Sequence, residues 1–188
     1  MITEDDLFLF NEGSHRRLAD KLGAHPCADG VRFSVWAPSA RGVSVVGDWN
    51  WWQRDADQLK PCGSSGIWEG FAEHARKGQV YKFAVTTGKG AVVEKADPFA
   101  FYCETPPRTG SVVWDLSYEW GDADWMAGRG ERQTLQSPIS VYEVHIGSWR
   151  RTPDRPNELL SYGELAPRLV DHVLRNGFTH VEFLPVME

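Results

Sequence analysis

The sequence predicts a mainly β protein in which a β-sandwich is followed by a β-α-β unit of parallel strands. Two observations support this prediction. Between Gly30 and Val93, short runs of alternating apolar and polar residues are separated by Gly, Pro and Asp, which is typical of antiparallel strands. After Pro138, two apolar runs flank a segment with helical spacing, and such a β-α-β crossover is almost always right-handed with parallel strands.

Four segments are predicted along the chain. Residues 1–24 form an irregular or helical lead-in, in which residues 14–21 are expected to make two helical turns. An immunoglobulin-like β-sandwich follows at 25–105, and then a packed linker rich in Trp, Asp and Gly at 106–137. Residues 138–188 are the start of a (β/α)8 barrel, truncated because a complete barrel needs about 250 residues.

The strands of the sandwich follow from alternation. Val31, Phe33 and Val35 share one face of the first run, and Val43 and Val45 share one face of the second. Further strands are predicted at 66–72, 81–85 and 91–93, with a hairpin turn at 87–90. Asp97 and Pro98 begin a stretch hostile to strands, so the sandwich is expected to end near Thr105.

The barrel segment contains a helix between two apolar strands. A capping box at Ser161 and Glu164 opens the helix, and Asn176-Gly177 ends it. Pro167 lies inside and removes a backbone donor, so the helix either bends there or begins later. The flanking strands are predicted from the apolar residues Ile139, Val141, Val144 and Ile146, and then Val181, Phe183 and Leu184.

Composition excludes several functional classes. The net charge of -6 argues against a nucleic acid or an anionic membrane as partner, and a neutral ligand fits better. No signal peptide or membrane span is recognised, and Cys27, Cys62 and Cys103 have no CxxC spacing, so free thiols in the cytoplasm are expected. No metal or cofactor site is predicted. The nine tryptophans fit either core packing or stacking on sugars.

Seven sequence blocks along the chain form a recognisable set. They are Leu-Gly-Ala-His-Pro at 22–26, Gly-Val-Arg-Phe-Ser-Val-Trp-Ala-Pro at 30–38, Val-Ser-Val-Val-Gly-Asp-Trp-Asn at 43–50, Tyr-Lys-Phe at 81–83, Lys-Ala-Asp-Pro at 95–98, Pro-Ile-Ser-Val-Tyr-Glu-Val-His-Ile-Gly-Ser-Trp-Arg-Arg at 138–151 and the segment 177–188. Together they resemble the glycogen branching enzymes of the α-amylase superfamily. The N-terminal blocks identify an isoamylase-type module related to glycogen-binding modules, and the part at 142–149 is the most specific to branching enzymes. The strongest rival family is maltooligosyltrehalose trehalohydrolase, and a free-standing glucan-binding module is a second alternative.

The resemblance implies a reaction for a longer protein. Its members cut an α-1,4 linkage in a glucan and transfer the fragment to a sugar 6-hydroxyl, with an Asp nucleophile and a Glu acid and base in a retaining scheme. These groups lie on later barrel strands, so no catalytic residue is assigned in this chain. The chain alone is expected to be inactive, and its expected partners are an α-glucan and the missing C-terminal barrel.

The resemblance also supplies candidate sugar contacts. In the glycogen-binding module of the AMP-activated kinase β subunit, a Trp after a Gly-x-x-Asn turn stacks on glucose and a Lys in a Tyr-Lys-Phe strand contacts it. Trp52 and Lys82 stand at those two positions, with Trp49 and Trp51 as neighbouring candidates. The second stacking Trp of that module has no counterpart here, because the hairpin carries Gly-Lys-Gly at 88–90. The alternative for Trp52 is packing against the barrel or the linker.

Overall fold

The computed structural model describes residues 1–186, so Met187 and Glu188, the end of the predicted barrel segment, lie outside the described residues. The chain forms two compact units, Met1–Tyr118 and Glu119–Glu188. The first is a β-sandwich and the second contains a β-α-β arrangement, which confirms the predicted fold class.

The sandwich consists of two antiparallel sheets. Within residues 1–118, all of them described, the strands are β1 (Gly23–Cys27), β2 (Gly30–Trp36), β3 (Gly42–Gly47), β4 (Asp57–Gln58), β5 (Lys60–Pro61), β6 (Ile67–Ala72), β7 (Val80–Thr86), β8 (Val92–Lys95), β9 (Tyr102–Cys103) and β10 (Ser111–Val112). Strands β1, β2, β6 and β5 form the first sheet in that order, and the second sheet has the order β4-β3-β7-β10-β9, with β8 also paired to β7.

The core lies between the inward faces of these sheets. Val31, Phe33 and Val35 of β2 are buried, as their alternation predicts, and Val43 and Val45 of β3 are buried with them. An aromatic cluster fills the centre, and burying several rings stabilises a core by about 2 kcal/mol or more per side chain. The ring of Phe33 contacts those of Trp49, Tyr81 and Phe83 at centroid distances of 5.5, 5.1 and 6.5 Å.

The predicted hairpin is confirmed. β7 and β8 pair antiparallel, with Val85 opposite Val93. The amide of Thr87 donates to the carbonyl of Ala91 at 2.8 Å, and Gly90 takes a φ of +85° that favours glycine.

The lead-in differs from its prediction. The helix is α1 (Glu4–Asn11), whereas the predicted two turns at 14–21 were wrong and reduce to a single 3-10 turn at Leu18–Asp20. The reason is capping: the hydroxyl of Thr3 accepts from the amide of Asp6, and the Asp6 carboxylate accepts from the amide of Thr3. Strand β1, which alternation does not reveal, follows directly and pairs with β2.

The lead-in covers the outward face of the first sheet. The amide of Ile2 donates to the Glu69 carboxylate of β6 at 2.8 Å, and the hydroxyl of Ser34 in β2 donates to the carbonyl of Lys21 at 2.5 Å. The ring of Phe10 meets that of Trp36 edge-on at 6.1 Å. These contacts explain why Ser34 is buried although it points away from the core.

The second sheet continues beyond Thr105. Strand β10 pairs with β7, with Ser111 opposite Tyr81. Buried Asp97 connects these elements, because its carboxylate accepts from the Tyr81 hydroxyl at 2.5 Å and its amide donates to the Ser111 hydroxyl at 2.8 Å. Burial raises the pKa of the Asp97 carboxyl, although the hydrogen bonds from Tyr81 and from the Phe99 amide oppose that shift.

The second unit is a parallel β-α-β arrangement preceded by a helix. Val141 of the first strand lies opposite His180 of the second, in parallel register. The capping box at Ser161 and Glu164 is present, so the long helix begins there and contains Pro167. The elements are α2 (Ala123–Arg132), β11 (Val141–Val144), α3 (Ile146–Trp149), α4 (Tyr162–Arg175) and β12 (His180–Phe183).

Candidate functional site

The turn after β3 is built by the Gly-Asp-Trp-Asn motif at 47–50. A Cβ on Gly47 would lie 2.4 Å from Cζ3 of Trp49, so only glycine leaves room for that indole. The carboxylate of Asp48 accepts from the amide of Val80 at 2.8 Å and ties the turn to β7. The side chain of Asn50 accepts from the Gly47 amide at 3.0 Å and donates to the Val45 carbonyl at 2.9 Å. The motif therefore fixes the backbone from which Trp51 and Trp52 project.

Trp49 belongs to the core. Its ring stacks on Phe33 with an interplanar angle of 20°, and its indole N–H donates to the Asp57 carboxylate at 2.8 Å. Asn50 donates to the same carboxylate at 2.7 Å. The structure thus gives Trp49 a packing role within the sandwich, and its partly buried side chain also lines a surface cleft.

Trp51 and Trp52 both lie in the left-handed region of backbone conformation, with φ of 54° and 59°. This region is unfavourable for a bulky side chain by roughly 1–2 kcal/mol. Trp51 is 84% exposed and Trp52 is 39% exposed. Consecutive tryptophans in this conformation give the surface two indoles held by a rigid turn.

Trp52 lies in a segment that crosses the outward face of the second sheet. Its amide donates to the Gly47 carbonyl at 3.1 Å. Two residues later, Arg54 forms an ion pair of 2.8 Å with Glu94 of β8, on the far side of β7. The outward-pointing Val46 of β3 is fully buried, as expected if this segment covers it.

Lys82 lies on the same outward face. It stands opposite Val46 in the β3–β7 register, between the inward-pointing Tyr81 and Phe83. Its ammonium group donates to the hydroxyl of Thr109, in the loop before β10, at 2.8 Å. The structure therefore brings Lys82 and the Trp52 segment to one face of one sheet. Thr109, which the sequence analysis did not single out, supplies a further hydroxyl there.

Trp51 is directed to a different part of the surface. It lines a cleft of about 520 Å³ together with Phe71, Glu73 and His74. Phe71 is an outward-pointing residue of β6, since it pairs with Arg32 of β2. Side chains two residues apart along a strand point to the same face, and Phe71 follows Glu69 by two residues. This spacing is the sequence signal that could have predicted the outward position of Phe71.

Cys27, Cys62 and Cys103 are free thiols. Among residues 1–186, no cluster of three or more His, Cys, Asp or Glu side chains could hold a metal ion. Within the same residues, no helix combines the length and apolarity that crossing a membrane requires.

Comparison with known proteins gives one matching family model and several close relatives in sequence. Residues 21–100 match the family model of carbohydrate-binding module 48, the isoamylase N-terminal domain. The whole chain is 49% identical to 1,4-alpha-glucan branching enzyme GlgB of Albidiferax ferrireducens and spans 30% of it. It is 50% identical to GlgB of Aromatoleum aromaticum and 49% identical to GlgB of Aquifex aeolicus, again over the whole chain and over 29% and 30% of those relatives.

Solved structures show the same fold. A pullulanase from Klebsiella pneumoniae superposes with a TM-score of 0.60 at 24% identity, over 89% of this chain and 20% of the pullulanase. A pullulanase from Paenibacillus barengoltzii superposes with a TM-score of 0.59 at 22% identity, over 96% of this chain and 31% of the enzyme. The chain therefore carries an isoamylase-type N-terminal domain and corresponds to the N-terminal region of the GlgB branching enzymes.

Proposed function

We propose that the β-sandwich binds an α-glucan chain on the outward face of its second sheet, with Trp52 as the stacking platform and Lys82 as a polar contact. The observation that carries this proposal is the common placement of the Trp52 segment and Lys82 on that face. The apolar C–H face of a pyranose packs on an aromatic ring, and its hydroxyls accept hydrogen bonds from an ammonium group. The matched carbohydrate-binding module supports the ligand class.

The geometry suits a neutral, hydroxyl-rich ligand. Lys82 and Thr109 are already hydrogen-bonded to each other, so both polar groups are positioned before a sugar arrives. Arg54 and Glu94 offset each other's charge beside Trp52. Such an arrangement has hydrogen-bonding groups without an excess of one charge, as a neutral sugar requires.

The activity proposed for the longer protein is that of a branching enzyme. It would cleave an α-1,4-glucan and transfer the segment to a 6-hydroxyl, through the retaining scheme with two carboxylates. The relatives reported above carry the branching-enzyme name, which favours this activity over that of a trehalohydrolase. We assign no catalytic residue within residues 1–188 and propose that this chain has no branching activity by itself.

Affinity electrophoresis of the 188-residue chain, in gels with and without glycogen, tests the proposed site. Stacking on one aromatic ring is worth about 1 kcal/mol, so Trp52→Ala should weaken retardation by about fivefold. Lys82→Ala should weaken it less. Trp125→Ala, which removes an exposed indole of α2 in the second unit, is the matched control and should leave retardation unchanged.

The competing role for Trp52 is packing against another part of a longer protein. Its half-buried indole is compatible with that role. Equal retardation of wild type and Trp52→Ala would contradict the proposed site and favour the packing role.

A further inference from the structure

The strained conformation of Trp51 is held by the hydrogen bonds of its turn and not by packing of its own side chain. A bulky residue with φ of 54° is normally retained only where packing over-determines it. Trp51 is 84% exposed, whereas the neighbouring Trp52, with the same conformation, is more than half buried. Strain held at an exposed aromatic ring points to a use for the ring itself.

The cleft beside Trp51 has the composition of a sugar-binding surface. Phe71, which is 49% exposed, provides a second aromatic ring in it. Gln53, Glu73 and His74 line the same cleft and are exposed, so their side chains can donate to and accept from hydroxyl groups.

A second cleft is also lined by Phe71. It measures about 570 Å³ and lies on the outward face of the first sheet. Arg32, Gln58 and Lys60 line it, together with Asp29. Phe71 borders both clefts, so a ligand following this face would meet an aromatic ring between two groups of polar side chains.

We propose that these two clefts form a second α-glucan site, with Trp51 and Phe71 as stacking platforms. This site is separate from the one formed by Trp52 and Lys82, although it takes its ligand class from the proposed function. The mixture of Arg32 and Lys60 with Asp29 and Glu73 disfavours a nucleic acid, which requires a basic surface. An uncharged chain of sugars uses both the rings and the surrounding donors and acceptors.

The two sites share one turn. Trp51 lines the cleft of about 520 Å³ beside Phe71, while the segment from Trp52 to Arg54 crosses the outward face of the second sheet. One glucan branch could therefore be held on each side of the turn. A chain bound at both sites would dissociate more slowly than one bound at either site alone.

Fluorine NMR separates the two sites. The 188-residue chain is labelled with 5-fluorotryptophan, the resonances of Trp51 and Trp52 are assigned from Trp51→Tyr and Trp52→Tyr, and maltoheptaose is titrated. We expect both resonances to shift and saturate. Phe71→Ala should raise the dissociation constant reported by Trp51 about fivefold and leave that reported by Trp52 unchanged.

One double variant and one control variant make the outcome decisive. The variant Trp52→Ala with Lys82→Ala should abolish the proposed first site and leave the titration of Trp51 in place. Trp125→Ala, in α2 of the second unit, is the control and should alter neither titration. Because both mutated positions of the second site are exposed, the one-dimensional NMR spectrum of each variant should remain that of a folded chain.

Each failure has a separate meaning. If Trp51 does not titrate, or titrates identically in wild type and Phe71→Ala, the second site is overturned whatever Trp52 does. If Trp51 titrates and Trp52 does not, the first site fails and the second stands. If the Trp51 shift disappears with Trp52→Ala and Lys82→Ala, the two rings belong to one site and the inference is wrong.

Discussion

The sandwich and the β-α-β unit bury their apolar residues to different extents. In the sandwich, two antiparallel sheets enclose a core in which Phe33, Tyr81 and Phe83 are almost completely inaccessible. In the second unit, α4 covers one face of a two-stranded sheet, and Leu165 and Leu169 are the best-buried of its helical residues. The first unit is closed by its own strands, and the second is closed on one side.

The second unit leaves apolar side chains uncovered on both faces of its sheet. A cleft of about 440 Å³ between α4 and β12 is lined almost entirely by apolar side chains, among them Val170 and Phe183. On the sheet face opposite α4, Val141 is exposed as well. Antiparallel strands alternate apolar and polar residues and can be covered on one face, whereas parallel strands are normally covered on both. An apolar run in the sequence therefore predicts a strand in both units, but such strands enclose a core only in the sandwich.

The largest expected effect contrasts the two cores directly. Phe33→Ala removes the ring that contacts Trp49, Tyr81 and Phe83, and should lower the free energy of unfolding of the sandwich by about 3–5 kcal/mol. Leu169→Ala should cost about 2 kcal/mol, because the open cleft beside α4 lets the site collapse. Amide hydrogen exchange read by mass spectrometry assigns each loss to its unit.

The wild-type exchange pattern provides the control. Amides of β2, β3 and β7 should exchange slowest, and those of β11 and β12 much faster, since few of their side chains are buried. Equal protection in the two units, or equal costs of the two variants, would break the comparison.

The strands that the sequence predicted well are those with alternating apolar residues that face the core, namely β2, β3 and β7. Outward residues of these strands, such as Ser34 and Val46, are buried as well, and β8 was predicted from its hairpin turn. β1 was missed, since its five residues include Gly23 and Pro26 and show no alternation. Its pairing with β2 is a tertiary contact that local pattern does not contain.

Only those residues of the candidate site that the family resemblance supplied were predicted from the sequence. The resemblance predicted the positions of Trp52 and Lys82, and their role as sugar contacts stays a prediction. The separation of Trp51 from Trp52 could not be predicted, because it depends on two consecutive left-handed residues and ordinary propensities give no sign of them. Thr109 could not be found either, since it meets Lys82 through the pairing of β10 with β7.

A smaller effect concerns how the sandwich closes its outward side. Asp6 caps α1, pairs with Lys21 at 2.8 Å and contacts His15 at 3.0 Å, so it holds the lead-in together where it covers the first sheet. Asp6→Ala should lower the free energy of unfolding by about 1–2 kcal/mol at neutral pH. The neighbouring Asp5→Ala is the control, because Asp5 is exposed and does not cap the helix.

The effect of Asp6 should depend on pH in a defined direction. Burial alone would raise the pKa of Asp6, but hydrogen bonds from Lys21, Thr3 and His15 outweigh it and hold the pKa well below the usual 3.8. A depressed pKa stabilises the folded state above the unfolded pKa, and that stabilisation is lost as pH falls towards the folded value. The difference between wild type and Asp6→Ala should therefore be full above pH 5 or so and shrink below about pH 4. Urea unfolding at several pH values measures it, and a constant difference would contradict the assignment.

The smallest expected effect has the opposite sign. Trp51→Gly relieves a left-handed conformation that costs an ordinary residue about 1–2 kcal/mol, while glycine adds about 0.5–1 kcal/mol of unfolded-state entropy. Since Trp51 is 84% exposed, little packing is lost, and the sandwich should gain up to about 1 kcal/mol. Trp52→Gly relieves the same strain but loses a half-buried indole, so it should gain nothing or be destabilised.

Thermal unfolding of both variants decides between two explanations of the tryptophan pair. A melting temperature that rises for Trp51→Gly but not for Trp52→Gly would mean that the sandwich retains a strained residue at position 51 whose ring does not stabilise the fold. A lower one would mean that Trp51 packs more than its exposure indicates, and the turn would then belong to the structural core. The sandwich, whose strands already enclose its hydrophobic residues, is the unit in which such a surface residue can be strained without threatening the fold, because the stabilising contacts lie elsewhere.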